Sequence, residues 1–159
     1  MKFYLYIIFS IFIFTSCAKD TNFEPQTEED IIAYIEANEE DIIAYIEAND
    51  LDATRTNSGL YYVIDNGGSG TRPTSSSNVT VAYKGYFLDG NTFDQSGDAG
   101  ISFGLNQVIP GWTEGIQLFK EGGEGMLLIP YNLGYGINGR SSIPGGAVLI
   151  FDIHLISVN

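Results

Sequence analysis

The chain is poor in the residues that most enzymatic chemistry uses. Its 159 residues include one cysteine, Cys17, and one histidine, His154. A single cysteine excludes an internal disulfide, a CxxC redox pair and any cysteine-based zinc spacing. His154 falls in a stretch where Leu149, Phe151, Ile153 and Leu155 alternate with residues of the opposite face, so it sits outward beside Asp152 and takes no part in catalysis. Basic residues are scarce, 7 Lys and Arg against 20 Asp and Glu, for a formal net charge of −13. Nothing in that balance attracts nucleic acid. Long apolar runs are missing too: the longest, residues 3–14, is too short to span a bilayer comfortably.

What is present divides by position. Hydrophobic residues at 44% and aromatics at 13% suffice for a packed core. The acidity belongs to the N-terminal part, since residues 20–52 carry acidic side chains and no Lys or Arg. Ahead of it, Lys2 and the apolar run of residues 3–14 have the form of an export signal over residues 1–16. The run closes on Phe14-Thr15-Ser16-Cys17, which resembles a bacterial lipobox in which the cysteine becomes the lipidated N-terminus. Ala18 in place of Asp after Cys17 then favours the outer membrane, so the expectation is a lipid-anchored protein of the cell envelope with a linker over residues 17–27.

Residues 28–38 read EEDIIAYIEAN, and residues 39–49 repeat them without a change. Eleven residues make about three helical turns, so both copies keep their isoleucines on one side. Acidic starts suit a helix N-terminus through the macrodipole, and Asn38 and Asn49 are both plausible ends. One helix weakened at Asn38 and two short helices fit equally. Such a segment (residues 28–52) could pack on the following domain, dimerise through residues 28–49, or hold the domain away from a membrane. We expect a spacer with an apolar stripe and no chemistry of its own; two repeats are too few for a solenoid.

From Thr56 onward the pattern is that of strands. β-rich segments near residues 60–64, 79–88, 92–96, 101–103, 125–130 and 147–158 are separated by Gly-, Ser- and Asn-rich turns. Between them Trp112, Ile116 and Phe119 recur at i, i+4 and i+7 after Pro110-Gly111, the mark of a short amphipathic helix. The expected architecture is α+β: a curled antiparallel sheet of about five strands wrapped around one short helix, with the helical segment before it. Trp112, the only tryptophan, is a core plug or a pocket floor; spacing alone leaves both open.

Five strings then occur in order: Val81-Ala82-Tyr83-Lys84-Gly85, Thr92-Phe93-Asp94, Val108-Ile109-Pro110-Gly111-Trp112, Leu133-Gly134-Tyr135-Gly136 and Leu149-Ile150-Phe151-Asp152. Together they resemble the FKBP-type peptidyl-prolyl cis-trans isomerases, over residues 57–158 of a domain read as 56–159. The resemblance implies an isomerase of X-Pro bonds in proline-containing polypeptides, open to macrolide inhibitors, with no cofactor and no metal. It makes Trp112 the floor of a prolyl pocket lined by Phe93, Phe103, Val108, Ile143 and Phe151. It makes Tyr83, Asp94, Ile109 and Tyr135 the catalytic set, with Tyr83 bonded to Asp94 and the Ile109 N–H and Tyr135 hydroxyl donating to substrate carbonyls. A non-catalytic module that binds proline segments or assembles envelope complexes could use the same pocket. Three departures stand out: the loop from Tyr135 to Ile143 is about one residue shorter than in many relatives, with Arg140-Ser141-Ser142 where they vary; no arginine follows Asp94 to pair with it; and Ile143-Pro144-Gly145-Gly146 replaces the usual Ile-Pro-Pro run, which implies a looser rim. For the anchor, Cys17→Ser is expected to move the protein from the membrane to the soluble fraction; unchanged fractionation contradicts it.

Overall fold

The computed structural model describes residues 27–159; the export signal, Cys17 and most of the linker lie outside them. The chain runs α1 (Glu28–Ala48), β1 (Thr54–Arg55), β2 (Tyr61–Asn66), β3 (Asn78–Tyr86), β4 (Thr92–Gln95), β5 (Ile101–Gly104), α2 (Pro110–Gly115), β6 (Gly123–Ile129) and β7 (Leu149–Val158). One sheet of seven strands has the order β1-β2-β6-β7-β3-β4, with β5 pairing the other end of β3. Every pairing is antiparallel. The strand without a signal in the sequence is β1, two residues long and too short to show a period; β4 and β5, read there as separate segments, pair opposite ends of β3.

The strands are built as alternating sequences should be. In β7, Leu149, Phe151, Ile153 and Leu155 turn toward α2, where they meet Trp112, Ile116, Phe119, Leu127 and Ile129 in the main core. Register shifts at Thr80/Val81 and Gly85/Tyr86 interrupt β3. Such bulges sharpen twist, and they suit a sheet that curls about a helix. Helix α2 lies tight on β6: a Cβ added at Gly111 or Gly115 would meet the Ile129 or Leu127 side chain at 2.6 Å. Two glycines four residues apart thus bring the helix axis down onto the sheet.

The opposite face is not simply polar. Ile150 and Leu128, neighbours of inward residues, point away from α2 and are nevertheless fully buried. What covers them is α1, through Ile42, Tyr45 and Ile46 against Tyr61, Tyr86, Leu128, Val148 and Ile150. The expected spacer is therefore docked on the domain. It is one continuous helix of 21 residues; Asn38 lies inside it, and only Asn49 is an end. Its start is fixed by a capping box, with the Asp30 N–H donating to Thr27 Oγ1 at 3.2 Å and the Thr27 N–H to Asp30 Oδ2 at 3.1 Å. Glu39 accepts from Arg55 Nε at 2.7 Å and from the Tyr61 hydroxyl at 2.9 Å. The Arg55 hydrogen bond, and then that of Tyr61, hold its carboxyl below the ordinary glutamate range. Among the described residues no helix is long and apolar enough to cross a membrane.

The two copies of the repeat meet different surroundings. Ile42 is 0% exposed, while its counterpart Ile31 is 42% exposed. Ile42→Ala is expected to cost about 2–4 kcal/mol in chemical denaturation. Ile31→Ala, the same substitution in identical local sequence, is expected to stay within about 0.5 kcal/mol. Equal costs would mean that α1 is not docked as described.

Candidate active site

A cleft of about 570 Å³ opens between the inner face of the sheet, α2 and the loop of residues 131–146. Its floor is Trp112, 5% exposed. The indole is set by the start of α2: Pro110 opens the helix, Ile109 precedes it with extended backbone, and the Trp112 N–H donates back to the Ile109 carbonyl at 3.0 Å. Pro at this position has no amide to leave unpaired and already holds a helical φ. The Thr113 hydroxyl ties the same turn to the Leu105 carbonyl at 2.6 Å.

Three rings surround the indole. Tyr83 from β3 stands perpendicular to it with centroids 5.0 Å apart, Phe151 from β7 lies at 5.1 Å and 83°, and Phe103 from β5 at 5.3 Å and 53°. Phe93 from β4 stands edge-on to Phe151 at 5.4 Å. Edge-to-face pairs of this kind gain from the ring quadrupoles beyond the area they bury. The Trp112 Nε1 is buried and has no hydrogen-bond partner among the described residues.

The polar groups lie at the edge of this apolar bowl. The Tyr83 hydroxyl donates to Asp94 Oδ2 at 2.6 Å, a short bond to a charged acceptor. Burial, followed by that bond, pushes the Tyr83 phenol well above the ordinary tyrosine range, so it remains a proton donor. The Ile109 N–H precedes the helix and stands outside its hydrogen-bond ladder. Tyr135 comes from the opposite wall, in a tight turn where the Gly134 and Gly136 N–H groups both donate to the Tyr131 carbonyl, at 3.0 and 2.9 Å.

All ten residues read from the sequence line this one cleft: Tyr83, Phe93, Asp94, Phe103, Val108, Ile109, Trp112, Tyr135, Ile143 and Phe151. Cys17 lies outside the described residues. His154 is on the other side of the sheet, its Nε2 3.8 Å from Glu124 Oε1. Five further lining residues escaped the sequence reading: Ile101, Gln107, Arg140, Ser141 and Ser142. Ile101 could have been found, because it stands two residues before Phe103 in β5 and shares its face. Arg140, Ser141 and Ser142 arrive through a chain reversal, the Arg140 and Ile143 backbones exchanging hydrogen bonds of 3.0 and 2.9 Å. No local pattern announces that reversal; Ser141 adopts a left-handed φ of 53° where glycine would be usual. The expectation of a loose rim from Gly145-Gly146 meets a different finding. Both glycines are points of close approach, Gly145 against the Ile137 backbone and Gly146 against the Tyr34 ring.

Residues 69–156 match the domain family described as FKBP-type peptidyl-prolyl cis-trans isomerase. The FKBP-type peptidyl-prolyl cis-trans isomerase FkpA of Aeromonas hydrophila is 46% identical over 105 residues, 65% of this chain and 39% of that relative. FkpA of Escherichia coli K12 is 44% identical with the same coverage. This chain's match thus spans about two fifths of those relatives' length. Among solved structures, FkpA from Escherichia coli superposes with a TM-score of 0.70 at 34% identity, covering 83% of this chain and 66% of that one. A peptidyl-prolyl cis-trans isomerase from Pseudomonas syringae pv. tomato gives 0.71 at 29% identity, covering 80% and 95%.

Proposed function

This chain belongs to the FKBP-type peptidyl-prolyl cis-trans isomerases, and from that premise we propose that its cleft catalyses rotation about X-Pro bonds in exported polypeptides at the bacterial cell envelope. The observation that carries the reading is the convergence of Trp112, its three ring neighbours, the Tyr83–Asp94 pair and Tyr135 on one apolar cleft.

The chemistry needs no bond broken. Twisting a peptide C–N bond forfeits amide resonance, a barrier of ~18–20 kcal/mol. At X-Pro the two planar isomers are close in energy and exchange over roughly tens to hundreds of seconds. An enzyme has only to bind the twisted amide more tightly than either planar form. A twisted amide is less dipolar, so it loses less on entering a bowl of rings than a planar one does. In this cleft the prolyl ring would lie on Trp112 between Tyr83, Phe93, Phe103 and Phe151, with Val108 and Ile143 at its sides. The Ile109 N–H and the Tyr135 hydroxyl would donate to substrate carbonyls on either side of the proline, fixing the flanks while the bond between them turns. Asp94 orients the Tyr83 ring that forms one wall. Each tenfold of rate asks for about 1.4 kcal/mol of preference for the twisted form, so a thousandfold needs about 4 kcal/mol.

The same reading includes a macrolide as a competing occupant of the bowl, and a lipid anchor at Cys17 that keeps the domain at a membrane, with the outer membrane as its destination. It also includes pairing of two copies through residues 28–49, supported by the exposed Ile31, Ile32, Ile35 and Ile43. The solution mass of the protein with and without residues 28–38 tests that pairing: halving on deletion supports it, and a monomer in both forms contradicts it.

For the activity, catalytic amounts of the protein should accelerate a proline-limited refolding reaction. Asp94→Val and Phe151→Ala should each lower kcat/KM about tenfold or more, the loss of about 1.4 kcal/mol of transition-state binding. A protein that binds proline peptides without accelerating refolding would be a binding module and not an isomerase.

A further inference from the structure

The first copy of the repeat touches the two ends of the loop that forms one wall of the cleft. Asn38 is 6% exposed, the single polar side chain buried to that degree among the described residues. Its Oδ1 accepts from the Tyr131 N–H at 3.0 Å, and its Nδ2 donates to the Gly146 carbonyl at 3.0 Å. These two residues bound the loop that supplies Tyr135 and Ile143 to the cleft. The connection goes further inward. The Tyr131 carbonyl accepts from the Gly136 N–H at 2.9 Å, and the Gly146 N–H donates to the Gly136 carbonyl at 3.0 Å. Both backbone groups of Gly136, next to Tyr135 in the chain, are therefore tied to residues that Asn38 holds. One turn earlier in α1, Tyr34 stands edge-on to Tyr131 with centroids 5.1 Å apart. It also covers Gly146, whose φ of +72° and lack of a Cβ let the ring sit there.

From this geometry, and resting on the isomerase reading above, we infer that Asn38 is a positioning residue: it clamps both ends of the 131–146 loop and so sets how the cleft captures a proline-bearing chain. A carboxamide offers one donor group and one acceptor on a single short side chain, which is what an N–H and a carbonyl facing it require. The second copy shows that the sequence alone does not confer this role. Asn49, its counterpart, is exposed and caps α1 by donating to the Tyr45 carbonyl at 2.8 Å. Eleven residues advance a helix by about 16 Å with only about 20° of rotation. The duplication thus extends one face from the outer side of the sheet to the two ends of the 131–146 loop.

That repeat makes a clean deletion available. Removing residues 28–38 joins Thr27 to Glu39-Glu40-Asp41, which recreates the capping sequence, and keeps Glu39, Ile42, Tyr45 and Ile46 on the sheet. Of the eleven residues removed, Tyr34 and Asn38 are those that contact Tyr131 and Gly146 as described above, and the first copy's isoleucines are exposed. The test compares the full chain with Asn38→Leu, Asn38→Asp and this deletion, using short X-Pro peptides to separate KM from kcat and amide hydrogen exchange to follow Gly136 and Gly146. Asn38→Leu and the deletion should raise KM about tenfold with kcat within about twofold. The Gly136 and Gly146 amides should exchange at least about tenfold faster, while those of β6 and β7 keep their protection. Asn38→Asp, which retains the acceptor for Tyr131 and loses the donor to Gly146, should fall between. Unchanged KM and unchanged Gly136 exchange in either folded variant overturn the inference, and so does loss of protection spread evenly over β6 and β7, which would mark a merely structural contact. If the parent chain proves catalytically inert, the isomerase reading fails by itself. The clamp is then judged from peptide affinity, read by Trp112 fluorescence, and from Gly136 exchange: weaker affinity with faster exchange upholds it, and no change in both overturns it.

Discussion

The contact of Trp112 with the rings of Tyr83 and Phe151, both edge-to-face, and of Phe103, tilted at 53°, is the interaction on which the cleft depends. An indole this deep in a small domain would ordinarily be filled over by core side chains. Here rings from three different strands stand around it at 5.0 to 5.3 Å, and the indole still lines the cleft. The rest of the fold serves that arrangement. The glycines of α2 set the indole at the right depth, β3 brings Tyr83 between β7 and β4, and Asp94 fixes the Tyr83 hydroxyl at 2.6 Å. Catalysis by such a bowl is a matter of shape and polarity, because rotation about a prolyl amide moves no proton and breaks no bond.

Helix α1 shows how little a local sequence decides about its own surroundings. Two identical 11-residue segments occupy one helix, yet one isoleucine is wholly buried and its twin half exposed. One asparagine joins two ends of a loop and the other closes the helix. The difference is only axial position. The second copy lies over Leu128 and Ile150, and the first lies past the sheet, against the loop that carries Tyr135. Holding of the 131–146 loop and docking of the helix are thereby carried by separate parts of one element.

Much of this was legible beforehand, for physical reasons that can be named. Alternation of apolar residues in β7 and the 3.6-residue spacing of Trp112, Ile116 and Phe119 report burial directly, so the curled sheet and its helix could be read from them. The ten cleft residues follow from the family resemblance, eight of them inside its five motif strings, and not from periodicity, which by itself leaves Phe93, Phe103 and Phe151 indistinguishable from core. What stayed hidden depends on contacts distant in the chain. Arg140, Ser141 and Ser142 line the cleft because of a reversal between Arg140 and Ile143 that only the backbone hydrogen bonds reveal. Ile150 reads as an outward residue and is buried by a helix more than a hundred positions earlier. Gly145 and Gly146 read as looseness, yet they are places where other groups come too close for a side chain.

The central claim is that a prolyl bond turns while its ring rests on Trp112. Exchange spectroscopy by nuclear magnetic resonance tests it in one sample, with an X-Pro peptide in excess over a small amount of the protein. The account predicts cis–trans exchange peaks at mixing times far below the roughly tens of seconds of spontaneous isomerisation, together with a peptide-dependent shift of the single indole N–H resonance. Peptide binding or accelerated exchange with the Trp112 indole unmoved would contradict it.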